Sequence, residues 1–178
     1  MNLFVSRSRI KRFSIMKSAI IPLMILSFFQ SFLGAKPLEL GSPAPNVQSV
    51  TDAGKPIDFG KELSSGTVLV FFYPKAMTGG CTKQACSLRD AWDELTSRDV
   101  RIFGVSSDKA ATQAEFRSKH SLPFTLIADT EGTVCDAFGK GRWSRHAYIF
   151  KDGALVWRDL SASTSDQAAD VLTALDQI

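Results

Sequence analysis

The sequence predicts an α/β fold in which helices flank a central mixed β-sheet. Two runs, TVLVFF (67–72) and VRIFGVS (100–106), are largely apolar and rich in β-forming residues, as strands buried on both faces are. Apolar residues between 83 and 98 recur at spacings of three and four, which indicates a helix with one buried face. Lys151-Asp152-Gly153 separates two short apolar runs and predicts a hairpin, whose antiparallel strands make the sheet mixed.

The other elements are placed around these in chain order. A small N-terminal hairpin is expected over 47–58, with its turn at Asp52-Ala53-Gly54. After the helix over 83–98 and the strand over 100–106, a second helix over 110–120 stops before Pro123. The chain then predicts a strand over 124–128, a helical turn over 134–138, hairpin strands over 147–150 and 154–158, and a closing helix over 165–178 with Ser165 as its N-cap.

The length of 178 residues suits a single domain that is large enough to bury a core. The net charge of +3 comes from the N-terminus, where five basic residues precede the first acidic residue, Glu39. From Lys36 onward, 16 Lys and Arg face 18 Asp and Glu, so the net charge of this part is −2. Because the chain from Lys36 onward is not basic, it lacks the electrostatic attraction to phosphates that nucleic-acid binding needs. We therefore expect no nucleic-acid partner.

Residues 1–35 have the composition of a secretory leader. Residues 1–17 are basic and free of acidic side chains, residues 19–33 are mostly apolar, and the small pair Gly34-Ala35 follows. We therefore predict a signal peptide or membrane leader over 1–35, a domain over 36–178, and export to the periplasm or another extracytoplasmic space. An uncleaved anchor through residues 19–35 and an organelle transit peptide are the alternatives.

Cys81 is the candidate nucleophile among the three cysteines of the chain. It comes just after the first buried strand and a turn over 74–80, at the start of the first long helix. The free N–H groups and the positive dipole end of a helix N-terminus stabilise a thiolate over a thiol. Thr78 can offer a hydroxyl to a bound oxygen, and Gly79-Gly80 lets the backbone approach a small ligand closely.

The segment FFYPKAMTGGCTKQACSLRD (71–90) resembles the active-site signature of the peroxiredoxins, in particular of the bacterioferritin-comigratory (peroxiredoxin Q) group. Its core, Pro-x-x-x-Thr-x-x-Cys, is present as Pro74, Thr78 and Cys81, and Cys86 matches the group's resolving position. The similarity continues through 121–132 and 145–150 and covers nearly all of 38–178. It implies a thioredoxin-like fold and a thiol peroxidase that reduces hydrogen peroxide and organic hydroperoxides.

The resemblance also implies a role for each site residue. Cys81 would attack the peroxide and become a sulfenic acid, and Arg145 matches the family's active-site arginine. Arg145 would stabilise the thiolate and the leaving oxygen, Thr78 would orient the peroxide, and Pro74 would shield the thiolate from water. A disulfide with Cys86 and recycling by thioredoxin or a similar dithiol reductant would complete the cycle. We expect no cofactor, no metal, and a monomer or weak dimer.

Three positions depart from the pattern of that group. Ala76 replaces a usual acidic residue, Gly79 replaces a usual proline, and Gln84 stands where glutamate is common. These changes should loosen the loop and remove one charge near the thiolate. We expect them to affect the rate more than the reaction.

Helix geometry restricts how Cys86 could reach Cys81. Five residues of regular helix separate their Cα atoms by about 8.7 Å, whereas a disulfide tolerates at most about 7 Å. Either the pair is inert, or the first turns of the helix unwind in each cycle. Cys135 is expected to be a packing residue, but it is also the rival resolving thiol. His146 follows Arg145 in a strand, so it should point to the opposite face and take no part in catalysis.

Two other functions are left open by the residues alone. A thioredoxin-like disulfide oxidoreductase would use Cys-x-x-Cys, whereas the spacing here is Cys-x-x-x-x-Cys. A redox-inactive binding module or metallochaperone would need a set of His or Met ligands, and only Met77 is close to Cys81 in sequence.

Overall fold

The computed structural model describes residues 36–178, so the predictions made for residues 1–35 lie outside it. No helix within the described range is both long and apolar enough to cross a membrane. The described elements, in chain order, are β1 (Gln48–Val50), β2 (Pro56–Asp58), α1 (Phe59–Glu62), β3 (Thr67–Phe72), α2 (Gly79–Asp90), α3 (Trp92–Ser97), β4 (Val100–Ser106), α4 (Ala110–Lys119), β5 (Thr125–Ala128), α5 (Thr133–Ala137), β6 (Ala147–Lys151), β7 (Ala154–Asp159) and α6 (Gln167–Leu175).

The main sheet has five strands in the order β5-β4-β3-β6-β7. Strand β3 pairs in parallel with β4 and antiparallel with β6, while β4 pairs in parallel with β5 and β6 antiparallel with β7. The predicted central mixed sheet is therefore confirmed, and β3 lies at its centre. Strands β1 and β2 form the separate small hairpin that the sequence predicts.

Alternating residues of β3 divide the interior into two hydrophobic clusters. Leu69 and Phe71 belong to the first cluster, which contains buried residues of α2, α3, α4 and α6. Val70 and Phe72 belong to the second cluster, which contains buried residues of α1 and α5. Because successive strand residues point to opposite faces, the sheet separates the two clusters and the fold has three layers.

Gly104 of β4 is a position where side chains of the two neighbouring strands approach the backbone closely. A Cβ placed there would lie 2.7 Å from Cζ of Phe71 and 2.8 Å from Cδ2 of Leu126. Real side chains do not come so close, so the rings and methyl groups of this cluster occupy the space that a side chain at position 104 would need.

Two of the predicted helices differ from the observed ones. A single helix over 83–98 is wrong, because the chain forms α2 and α3, interrupted at Ala91 (φ −96°, ψ 11°). Helix α2 also begins earlier, at Gly79, since two glycines of low helix propensity conceal its first turn in the sequence. Ser165 is not an N-cap, because α6 begins at Gln167 after Asp166.

Candidate active site

A short loop joins β3 to α2 and carries two of the predicted site residues. Pro74 is half-buried, and Thr78 is exposed and forms the N-cap position of α2. Between them, Met77 has a left-handed backbone with φ 62°, a strained conformation for a residue with a side chain. The N–H of Ala76 donates to Oδ2 of Asp108 at 2.7 Å. The loop is therefore fixed by a carboxylate from another element.

Asp108 is a site residue that the sequence reasoning missed. It follows β4, and its Oδ2 also accepts a hydrogen bond from Oγ of Ser106 at 2.7 Å. Because β3 and β4 are parallel, their carboxyl ends lie at the same edge of the sheet. The polar run Ser106-Ser107-Asp108 directly after a buried strand was the available signal that a side chain would reach the loop after β3.

Cys81 is the third residue of α2, and its side chain is buried. Nη1 of Arg145 lies 3.2 Å from its Sγ, so a fixed positive charge faces the sulfur. The hydroxyl of Thr78 does not cap the helix and instead donates to the carbonyl of Lys75 at 3.0 Å. Both the guanidinium and the N-terminal end of the helix therefore favour negative charge on this sulfur.

Three neighbours hold Arg145 in place, although it lies 64 residues from Cys81 in the sequence. Its Nη1 also donates to Oε1 of Gln84 at 3.0 Å, and its backbone carbonyl accepts from the N–H of Ala162 at 3.0 Å. A Cβ on Gly80 would lie 3.0 Å from Nη2, so any larger residue there would press on the guanidinium. Gln84, noted in the sequence as a departure from glutamate, thus supplies Arg145 with a neutral acceptor.

The other two cysteines lie in different surroundings. Cys86 is half-buried in α2, the same helix as Cys81, and all three cysteines are free thiols. Cys135 lies in α5 and belongs to the second cluster, on the other face of the sheet from Cys81. Burial raises the pKa of the Cys135 thiol to about 11, although Nζ of Lys140 lies only 3.9 Å from its sulfur. Cys135 therefore carries little thiolate near neutral pH.

His146 lies on the predicted face, away from Cys81, although it precedes β6, which begins only at Ala147. Its Nδ1 is 2.7 Å from the hydroxyl of Tyr148, a residue of the second cluster. Burial lowers the pKa of His146 to about 4, so the ring is neutral at ordinary pH. The described structure thus brings Cys81, Arg145, Thr78 and Pro74 to one end of the sheet and leaves His146 and Cys135 on the opposite face.

Comparison with known proteins identifies the relatives of this chain. A model of the AhpC/TSA family matches residues 40–157. The chain is 40% identical over 115 residues to peroxiredoxin Bcp of Escherichia coli (strain K12), which covers 65% of this chain and 72% of that protein. It is 29% identical over 150 residues to peroxiredoxin Bcp of Bacillus subtilis (strain 168), which covers 78% of this chain and 95% of that protein.

The prediction that the chain is exported or anchored through residues 19–35 is wrong. The Bcp peroxiredoxins that it matches are typically cytoplasmic proteins. The prediction rested on a basic stretch followed by an apolar run. Such a composition is typical of a leader, but composition alone does not establish that export machinery recognises the segment.

The fold agrees with these sequence matches. The structure superposes on the peroxidoxin BcpB of Mycobacterium tuberculosis with a TM-score of 0.72 and 30% identity, covering 79% of this chain and 98% of that one. The expected thioredoxin-like fold is thereby confirmed. The family match, the curated relatives and the fold agree, and the chain belongs to the AhpC/TSA family, in its Bcp and peroxiredoxin Q group of thiol peroxidases.

Proposed function

We propose that Cys81 is the peroxide-reducing thiol of this peroxidase and that residues 36–178 form its catalytic domain. In the first step the thiolate of Cys81 attacks the terminal oxygen of a hydroperoxide and breaks the O–O bond. The sulfur becomes a sulfenic acid, and the leaving oxygen takes a proton and departs as water or an alcohol. The observation that carries this proposal is the 3.2 Å separation of Arg145 Nη1 and Cys81 Sγ at the first turn of α2.

The residues around the sulfur supply what this step requires. Negative charge moves from the thiolate to the leaving oxygen, and Arg145 is placed to interact with both. The hydroxyl of Thr78 is exposed at the helix N-terminus, where it can turn toward a bound peroxide. Pro74, half-buried in the same loop, is the residue that we expect to limit access of water to the thiolate. The substrates that we propose are hydrogen peroxide and organic hydroperoxides.

Cys86 is the resolving thiol in this proposal. Its sulfur attacks the sulfenic sulfur of Cys81, the S–O bond breaks, water leaves, and a disulfide forms. Because both residues belong to α2, the helix must unwind between them before the sulfurs can meet. Two features disfavour Cys135 as the partner: its thiol has a raised pKa, and the central sheet lies between it and Cys81.

The disulfide is then opened by thioredoxin or a similar dithiol protein, whose two thiols are oxidised as the two cysteines are restored. A half-buried Cys86 on the surface of α2 becomes accessible when the helix unwinds, which gives such a reductant a sulfur to attack. A second turnover with peroxide then begins from the same reduced helix.

Substitution of single cysteines tests the assignment. We expect Cys81→Ser to abolish peroxide consumption in the presence of thioredoxin, thioredoxin reductase and NADPH, because a serine hydroxyl does not form the oxidised intermediate. Cys135→Ser is the matched control and should keep turnover close to that of the unchanged chain, since its thiol lies beyond the sheet. Normal peroxide consumption by Cys81→Ser would show that the assignment is wrong.

A further inference from the structure

Two glutamine side chains are fully buried between α2 and α6, behind the active-site arginine. Gln84 lies in α2, Gln167 is the first residue of α6, and both have no exposed surface. Nε2 of Gln84 donates to Oε1 of Gln167 at 2.9 Å. Buried amides are costly unless they are hydrogen-bonded, so a pair kept in the core beside an active site calls for a physical reason.

The direction of these hydrogen bonds is determined by Arg145. A guanidinium has only donors, so Gln84 must turn its oxygen toward Nη1, which it meets at 3.0 Å. Its amide nitrogen then faces away and needs an acceptor, which the oxygen of Gln167 provides. Within the described residues Nε2 of Gln167 has no hydrogen-bond partner, so this amide is connected to the network through its oxygen.

We propose that Gln167 is a positioning residue for the thiolate site, acting through Gln84 and Arg145. By accepting from Nε2, it keeps the Gln84 amide from rotating and presenting its NH2 group to the guanidinium. Arg145 is thereby held with one nitrogen both 3.0 Å from Gln84 and 3.2 Å from the sulfur. This inference rests on the proposed role of Cys81, and it assigns to α6 a part in maintaining the reactivity of that thiol.

The two glutamines that hold Arg145 are neutral, and this neutrality is part of their proposed effect on the thiolate. Among the salt bridges of residues 36–178, none involves Arg145. Its guanidinium instead donates to the amide oxygen of Gln84 and to the sulfur of Cys81, and not to a carboxylate. A charge without a paired carboxylate attracts the thiolate more strongly than a guanidinium already in an ion pair would.

The test compares two variants that each remove one hydrogen bond between α2 and α6. Gln167→Met keeps the length of the side chain and removes the acceptor. Ser87→Ala removes the acceptor for the N–H of Ala168, a bond of 3.1 Å between the same two helices that does not lead to Arg145. The rate of iodoacetamide addition to Cys81, followed by peptide mass against pH, measures the thiolate without using peroxide.

We expect Gln167→Met to move the alkylation profile of Cys81 to higher pH and to slow peroxide reduction about three- to tenfold, the effect of one neutral hydrogen bond. Ser87→Ala should leave the profile in place, because its hydrogen bond does not lead to Arg145. Thermal melting of each variant reports on folding. The proposal is overturned if the profile of Gln167→Met does not move, or if Ser87→Ala moves it equally.

The alkylation measurement separates this inference from the proposed function. If Cys81→Ser still reduces peroxide, the assignment of the reactive thiol fails, whatever the profile shows. If Cys81→Ser is inactive but Gln167→Met titrates like the unchanged chain, only the role of Gln167 fails.

Discussion

Arg145 is the residue on which the proposed chemistry of the site depends most. One of its nitrogens contacts both the sulfur of Cys81 and the amide oxygen of Gln84. The backbone at Gly80 confines the guanidinium further: a Cβ at position 80 would lie only 3.0 Å from Nη2 of Arg145. A charge fixed in this way needs no rearrangement when the O–O bond breaks, which is the condition for effective electrostatic stabilisation.

We predict that Arg145→Ala slows the reaction of Cys81 with hydrogen peroxide by about 10² to 10³ fold, the usual effect of removing one charge-stabilising donor. Competition with a peroxidase of known rate measures this change. Arg142→Ala is the control, because Arg142 is exposed in the same loop and should leave the rate nearly unchanged. Equal losses in both variants would mean that the loop matters only through its overall charge.

In the proposed cycle, helix α2 is the element that must change shape. It carries both Cys81 and Cys86, and as a continuous helix it keeps their sulfurs apart. The first turn of a helix has few backbone hydrogen bonds to lose, and Gly79 and Gly80 add conformational freedom there. Further along, unwinding would separate Gln84 from Gln167 and Ser87 from Ala168. These two hydrogen bonds hold the middle of α2 against α6 and would have to break if unwinding extended that far.

We predict that oxidation with one equivalent of peroxide speeds amide hydrogen exchange over residues 78–88, because the disulfide requires loss of helix there. Mass spectrometry of peptides should show the faster exchange together with a Cys81–Cys86 link. Cys86→Ser, which cannot form this link, should keep the exchange of the reduced protein. A Cys81–Cys135 link, or a Cys81–Cys86 link with α2 still fully protected, would contradict the unwinding mechanism.

At the scale of the whole domain, residues 36–178, a central sheet separates Cys81 from Cys135 and His146. Cys81 belongs to the first cluster and Arg145 contacts it, while Cys135 and the partner of His146, Tyr148, belong to the second. Close packing makes this division stable. Packing is tight at Gly104 in the sheet, because the ring of Phe71 and the side chain of Leu126 meet over its Cα.

We predict that Gly104→Ala destabilises the protein by about 1 to 3 kcal/mol, the usual cost of overpacking a core. Urea unfolding followed by circular dichroism measures the change. Gly141→Ala is the matched control: neither glycine has a positive φ, and the nearest contact of a Cβ at position 141 is an ordinary 3.7 Å. We expect that variant to stay within about 0.5 kcal/mol of the unchanged chain. A stability of Gly104→Ala equal to the control's would mean that the sheet relaxes easily.

The sequence by itself determined the local features of this protein. Strands β3 and β4 have the bounds that their apolar runs predict, and the hairpin of β6 and β7 follows from its turn. Cys81 could be placed at a helix N-terminus because the strand, the turn and the first apolar helical positions lie within one short segment. Local propensity and periodicity are sufficient for such features, since the interactions involved join residues near one another in the chain.

The tertiary structure decided which distant residues meet. Arg145 was named from the family resemblance, but its contact with Cys81 depends on β6 pairing with β3, where Phe71 lies opposite Ala147. Gln167 gave no local signal of its role, and the polar run that ends at Asp108 did not identify the loop that it contacts, because each residue acts on the site from a different element. The position of Cys135 beyond the sheet likewise follows from how α5 packs. Such contacts depend on strand order and on the packing of whole elements, which no short stretch of sequence encodes.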